Sequence, residues 1–317
     1  MKKIDPKNTP VSEIQRLLQG GIAPRPIALV STISKDGKHN LSPFSFFNVF
    51  GANPPIVGFS AARRRDKSLK DTYNNISETK ECVIQVVTYN MVEQVSLSST
   101  EYETGIDEFI KSGLTPIDSV NVKAKRVKES PFQMECKLHQ IINLGDGAGA
   151  GNLVLCEVIL FHVAEDIFKD GIIYPDFIDL VGRNSGDFYT RAKGSAIFEV
   201  EKPINKKGIG YDNLPSFIKE SHLFSANNLA KFANIEKIPS KENVYEFIKN
   251  IELKETSEEI FYRASERNDY QEMLKSGLFL YKNNPKKNKY LLELTSKKAL
   301  ELNDSIFAWN VILYINE

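Results

Sequence analysis

The amino-acid sequence predicts a mainly β domain with some helices over residues 1–204, followed by a helix-rich extension over residues 205–317. Three observations carry this reading. Short segments rich in Val, Ile, Phe and Thr recur through the first part, each bounded by turn residues. Met134, Cys136 and Leu138 alternate with Glu135, Lys137 and His139, the period of a half-buried strand, and the nearly unbroken apolar run over 153–163 suits a buried one. Past Pro203 these residue types give way to Lys, Glu, Asn and Leu with helical spacing, as in Val244, Phe247, Ile248 and Ile251.

Taken in order, strands are expected over 25–33, 40–49, 55–61 and 81–87, in a mostly antiparallel sheet. Asp36-Gly37 reads as a tight two-residue turn between the first two, because such a turn needs residues that tolerate positive φ. Ser68-Leu69-Lys70-Asp71 matches a capping box, with Ser68 as N-cap and Asp71 reaching back, which predicts a helix from there to about Ile76. A second short helix is expected over 91–97. In the extension the spacing predicts helices over 242–251 and 258–274, and the polar stretch 283–289 reads as a solvated basic loop.

Composition narrows the class of function. The 317 residues carry 41 basic and 41 acidic side chains, 41% hydrophobic and 26% charged residues, which argues against a disordered tail protein and a polybasic nucleic-acid binder. Cys82, Cys136 and Cys156 lie far apart with no paired spacing, so neither a disulfide framework nor a zinc site is expected, and a reducing cytoplasm is the simplest compartment. No apolar run approaches the roughly 18 to 20 residues of a membrane span. The Met-Lys-Lys start leads into polar sequence. The expectation is a cytoplasmic protein with no membrane or nucleic-acid partner.

The densest charge feature runs from Arg63 through Arg64, Arg65, Asp66, Lys67, Ser68 and Lys70 to Thr72, after a strand and at a helix start. Unpaired amides, the positive end of a helix dipole and Arg, Lys, Ser and Thr donors can together hold a phosphate; a solvated cationic loop is the plainer alternative. Upstream, residues 40–48 form an aromatic strand interrupted by Pro43, Ser45 and Asn48, where an edge or bulge frees backbone groups for a planar heteroaromatic ligand. Inward-facing core is the alternative for those aromatics. The glycines of 145–151 suggest a dinucleotide loop at first sight, but they join strand to strand and cannot place amides at a helix start, so a flexible hairpin is expected. No hydrolase elbow, Walker loop or metalloprotease helix occurs, and His162, ending an apolar strand, reads as a structural histidine before a functional one.

Ala23-Pro24-Arg25-Pro26-Ile27-Ala28-Leu29-Val30-Ser31-Thr32, residues 40–48, Asn53-Pro54-Pro55 and the stretch 63–72 with Asn75-Ile76 together resemble the flavin reductase-like, FMN-binding split-barrel proteins. Tyr102, Gly105, Asp107-Glu108-Phe109, Gly113-Leu114, Leu180-Val181-Gly182-Arg183, Gly186 and Tyr189 extend the resemblance, which covers residues 10–235. It implies an FMN-binding split β-barrel in which Ser45, Phe46, Phe47 and Asn48 line the isoalloxazine, and Ser60, Arg63, Arg65, Ser68, Lys70 and Thr72 surround the ribityl phosphate. It further implies a homodimer with the flavin near the subunit interface, and electron transfer between NAD(P)H or another donor and flavin, with no catalytic side chain required. Small members carry a histidine where this chain has Gly151, so Gly151 is a candidate for donor access; His162, at the end of its strand, is kept as a second candidate on its own account, and the donor itself is left open. A non-catalytic FMN sensor or interaction module is the alternative.

Overall fold

A two-residue link between opposite edges of one sheet sets the shape of the first part of the chain. In the computed structural model, which describes residues 1–204 and 206–316, seven strands form one sheet: β1 (Ala28–Ile33), β2 (His39–Phe44), β3 (Phe47–Ala52), β4 (Pro55–Ser60), β5 (Glu81–Val86), β6 (Phe132–Asn143) and β7 (Asn152–Val163). Every pairing is antiparallel, in the order β2-β1-β5-β6-β7-β4-β3. β2 and β3 therefore occupy opposite edges, yet only Ser45 and Phe46 separate them. Three Cα steps reach about 11 Å, whereas six strand spacings laid flat would cover about 29 Å. The sheet has to curl until its edges approach. Among the described residues no ladder joins β2 to β3, so the barrel stays split at this seam.

The pattern along β1 shows how the barrel is filled. Ala28 and Val30 face an interior packed with Phe44, Phe59, Ile84, Met134 and Val154, whereas Leu29 joins Leu41, Val87, Met91, Val95 and Phe109 on the outer face. That outer cluster is covered by helices α3 (Val92–Leu97) and α4 (Glu108–Ser112), which follow α1 (Val11–Gly21) and α2 (Asp71–Thr79). Burial on both faces explains why β1 is continuously apolar up to Val30. The three cysteines, distant in sequence, are all buried, and Cys82 Sγ lies 3.8 Å from Cys156 Sγ inside the barrel.

Several local expectations are corrected. The single strand expected over 40–49 is two, broken at Ser45 and Phe46; Pro43 is accommodated within β2 because that strand is an edge. The first hairpin is wider than two residues. Ser34 N donates to Lys38 O at 2.9 Å and Gly37 N to Ser34 O at 3.0 Å, so the loop is Lys35–Gly37 with Gly37 alone at positive φ, +81°. The capping box does not form. Ser68 gives both its amide (2.9 Å) and its hydroxyl (2.6 Å) to the Asp66 carboxylate, closing a turn, and α2 begins only at Asp71. The glycine-rich segment does connect strand to strand, between β6 and β7.

The chain divides into two compact units, Met1–Glu199 and Val200–Glu317; Asn205, where the extension was expected to begin, lies outside the described residues. The second unit contains α5 (Ala226–Ala233), α6 (Lys241–Lys249), α7 (Glu258–Glu266), α8 (Tyr270–Asn283), α9 (Pro285–Glu301) and α10 (Ser305–Tyr314). Its core centres on Trp309, fully buried, whose indole N–H donates to Phe232 O at 3.0 Å. The helix expected over 258–274 breaks where Asn268 adopts φ +58° and the Asp269 carboxylate caps α8 by accepting from Glu272 N. Most of the expected loop 283–289 is helical. Asn284 accepts from Lys287 N and Pro285 opens α9, since a proline has no N–H to leave unpaired in a first turn. No helix of the described residues is long and apolar enough to cross a membrane.

Candidate functional site

The segment after β4 folds back on itself before α2 starts. Arg64 N donates to Ser68 O at 3.0 Å, Lys67 takes φ +71°, and the Arg64 guanidinium bonds Leu69 O while lying 3.7 Å from Asp71. Arg63 is sewn to the glycine-rich hairpin: Arg63 N donates to Ala150 O at 2.9 Å and Gly149 N to Arg63 O at 3.2 Å. Its side chain bonds Lys67 O at 3.1 Å and meets Asp146 at 3.4 Å, while its Nε is buried without a partner. Lys70 stands at the N-cap of α2, where no side chain caps the first amides. Burial, with the Arg64 charge adding to it, holds the Lys70 ammonium below the ordinary lysine range. An unsatisfied guanidinium nitrogen, a desolvated ammonium and an open helix start all favour an anion.

The aromatic side of the site adjoins this cradle. Ser60 N donates to Phe46 O at 2.8 Å, so the link between β2 and β3 lies directly on the end of β4. Phe47 packs on the barrel core and also walls a cleft of about 200 Å³, lined as well by Pro24, Arg25, Val87, Leu180 and Gly182. Phe46 and Asn48 are exposed, Asn48 Oδ1 accepting from Val49 N at 2.9 Å. A Cβ on Gly151 would stand 2.8 Å from Ser60 Oγ, which places Gly151 against the same corner.

The structure thus brings Ser45, Phe46, Phe47, Ser60, Arg63 and Gly151 into one continuous neighbourhood, with Lys70 at the helix start. Arg65 is exposed, and the Ser68 side chain is turned to Asp66. The Thr72 hydroxyl points inward: it donates to Asn40 Oδ1 at 2.8 Å in a buried network with Thr32, Asn75 and Glu108, leaving its backbone as the part that faces the helix start. His162 is elsewhere. It lies ten positions along β7 from Asn152, about 33 Å at the rise of a strand, with Nε2 2.7 Å from Glu135 Oε1. Arg25 is the residue that sequence reasoning missed as part of the site; the signal was a charged residue held between two prolines at the mouth of an apolar strand.

The sequence profile of the flavin reductase like domain matches residues 21–176, all within the first unit. An uncharacterized protein of Aquifex aeolicus is 36% identical over 195 residues, 61% of this chain and 97% of the relative. Among solved structures, nitrilotriacetate monooxygenase component B from Bacillus cereus is 32% identical with a TM-score of 0.60, over 63% of this chain and 98% of its own. A split-barrel-domain protein of Shewanella frigidimarina assigned to the flavin reductases is 26% identical with a TM-score of 0.53, over 62% and 96% of the two chains. With a curled antiparallel barrel, a cationic turn and uncapped helix start beside its seam, and these relatives, the chain belongs to the flavin reductase-like family of split-barrel flavoproteins.

Proposed function

We propose that the first unit binds FMN and works as a flavin reductase-type oxidoreductase, passing electrons between flavin and NAD(P)H or another donor, in a homodimer. The observation that carries this reading is the cradle of Arg63, Lys70 and the α2 start beside the Ser45–Phe47 link, because FMN ends in a phosphate dianion and presents a planar ring. The bound flavin supplies the redox chemistry. The chain's own residues hold the phosphate, orient the ring along the seam and limit access through the 144–151 hairpin. Absorption of the freshly purified protein, followed by NAD(P)H oxidation with added flavin, tests the reading. Flavin bands with turnover support it, flavin bands without turnover with any donor favour an FMN-binding module, and a colourless protein that takes up no FMN overturns both.

The dimer rests on the open edge at β3, where Val49 and Phe50 are 66% and 60% exposed next to Phe46. An unpaired apolar edge of this kind is a surface that proteins cover. Sedimentation is expected to give twice the mass of the chain, and Val49→Asp with Phe50→Ser is expected to give a monomer. A wild type that sediments as a monomer with and without FMN would remove the shared-interface reading.

Gly151 sets a second expectation. Any side chain there must displace Ser60 Oγ or Leu144 Cδ1, which its Cβ would approach to 2.8 and 3.2 Å. Gly151→His, which restores the residue that smaller members carry, is therefore expected to weaken FMN binding several-fold through Ser60, before any gain in donor affinity shows. Fluorescence titration of the apo protein checks this; unchanged affinity would show that the hairpin yields freely.

A further inference from the structure

Arg25 is 5% exposed, yet every partner of its guanidinium is neutral. It donates to Gln19 O, to Ile22 O at 2.9 Å, to Asn184 O at 3.0 Å and to Ser45 Oγ at 3.4 Å. The first two acceptors are carbonyls at the end of α1, a usual place for a cation. The other two tie the segment after Gly182 to the link between β2 and β3. Backbone bonds in both directions, 2.9 and 2.8 Å, hold Arg25 against Arg183, so a second cation lies close. Burial, reinforced by the charge of Arg183, lowers the hold of Arg25 on its proton. No acidic side chain among the described residues relieves this charge, although a buried cation without a counter-ion is costly. The end of α1 offers only partial negative charge, so the guanidinium keeps a net positive charge beside the cleft. The guanidinium carbon stands 5.8 Å from the centre of the Phe46 ring, and Arg25 lines the same cleft as Phe47.

We propose that Arg25 is a positioning and charge-setting residue for the flavin. It fixes the Ser45–Phe46 link, and its uncompensated charge favours the reduced ring over the oxidised one. This rests on the FMN reading above. Hydride transfer from NAD(P)H delivers two electrons and one proton, releases NAD(P)⁺ and leaves the ring with one more negative charge than before. A fixed cation on the cleft wall stabilises that added charge selectively, and charge placed near the ring is one of the means by which a protein tunes it.

The test compares the midpoint potential of bound FMN in the full-length wild type with that in Arg25→Gln, together with the Kd for oxidised FMN. Arg25→Gln is expected to bind reduced FMN at least tenfold more weakly relative to oxidised FMN, a fall in midpoint of about 30 mV for two electrons. A merely structural role would weaken both forms alike and leave the potential in place, and that result overturns the proposal. If Arg25→Gln does not fold, Arg25→Met, which also removes the charge, takes its place with the same expected fall in potential, and the same unchanged potential overturns the proposal. Arg25→Lys serves as the charge-retaining control. The shorter ammonium keeps the charge but cannot reach all four acceptors, so affinity for both forms falls while the potential holds; a shifted potential with the charge retained overturns the proposal. A wild type that binds FMN with an unchanged Arg25→Gln potential removes only this inference, whereas a wild type that binds no FMN removes the function reading and this inference with it.

Discussion

Arg63→Ala combined with Lys70→Ala is expected to lower FMN affinity about a hundredfold or more, since a charge-assisted hydrogen bond contributes roughly 1.5 to 3 kcal/mol and each 1.4 kcal/mol is tenfold. Both side chains are partly removed from water. Arg63 carries a buried Nε without a partner, and the Lys70 ammonium is disfavoured by burial and by Arg64. A phosphate that meets them relieves an existing cost in addition to forming new bonds. Arg65→Ala alone is expected to have a much smaller effect, because an exposed guanidinium acts through water. Calorimetry on the apo protein gives the comparison. A double variant with wild-type affinity would move the phosphate away from this loop altogether.

Much of the barrel was legible because its strands obey local rules. Turn residues bound each one, and the continuous apolar face of β1 and the run of β7 announced burial on both sides. What sequence spacing could not show was the break at Ser45 and Phe46. Those two residues look like strand, and they leave the strand because the curled sheet must carry the chain from one edge to the other. The capping box failed for a similar reason. Ser68 had the right spacing to Asp71, but Asp66, two residues away, competes for the same hydroxyl and amide and is nearer in the chain. Asn284-Pro285 read as loop punctuation, yet the same pair is a helix start when a long apolar face follows.

The site was legible as a set of residue types and less so as a set of directions. Arg63 and Lys70 lie on the cationic turn and at the start of α2, whereas the Thr72 hydroxyl is drawn inward by Asn40, a residue more than thirty positions earlier. Arg25 escaped notice because its isolation is defined by what surrounds it: three carbonyls and a serine from segments that meet only in the fold. Glu135 departs from its strand pattern in the opposite sense. On β6 it belongs to the polar half of an alternating strand and should face water, but the loop over 118–124 closes over that face and leaves it fully buried.

Glu135 is consequently a carboxylate on which stability depends. It accepts from Val120 N at 2.7 Å, Asn121 N at 2.6 Å and His162 Nε2 at 2.7 Å. Glu135→Ala leaves the Val120 and Asn121 amides and the His162 imidazole without their acceptor at once, and each hydrogen bond to a charged group contributes roughly 1.5 to 3 kcal/mol. Urea unfolding near pH 7 is expected to show this as a marked drop in midpoint, and a midpoint equal to wild type would mean that the 118–124 loop does not depend on this carboxylate. Acid gives an independent measure. Burial by itself raises the Glu135 carboxyl, but the amides of Val120 and Asn121 and the His162 contact outweigh it and hold the group below its ordinary range. In the unfolded chain a glutamate titrates near 4.3, so the stabilisation is present in full above about that pH and is lost as pH falls through the lower folded value. Glu135→Gln keeps one acceptor and carries no titration. Its stability is therefore expected to lie below wild type near neutrality and to converge on it as the solution is taken from pH 5 towards pH 3. Parallel curves over that interval would show that the buried carboxylate is not held ionised by the loop and His162.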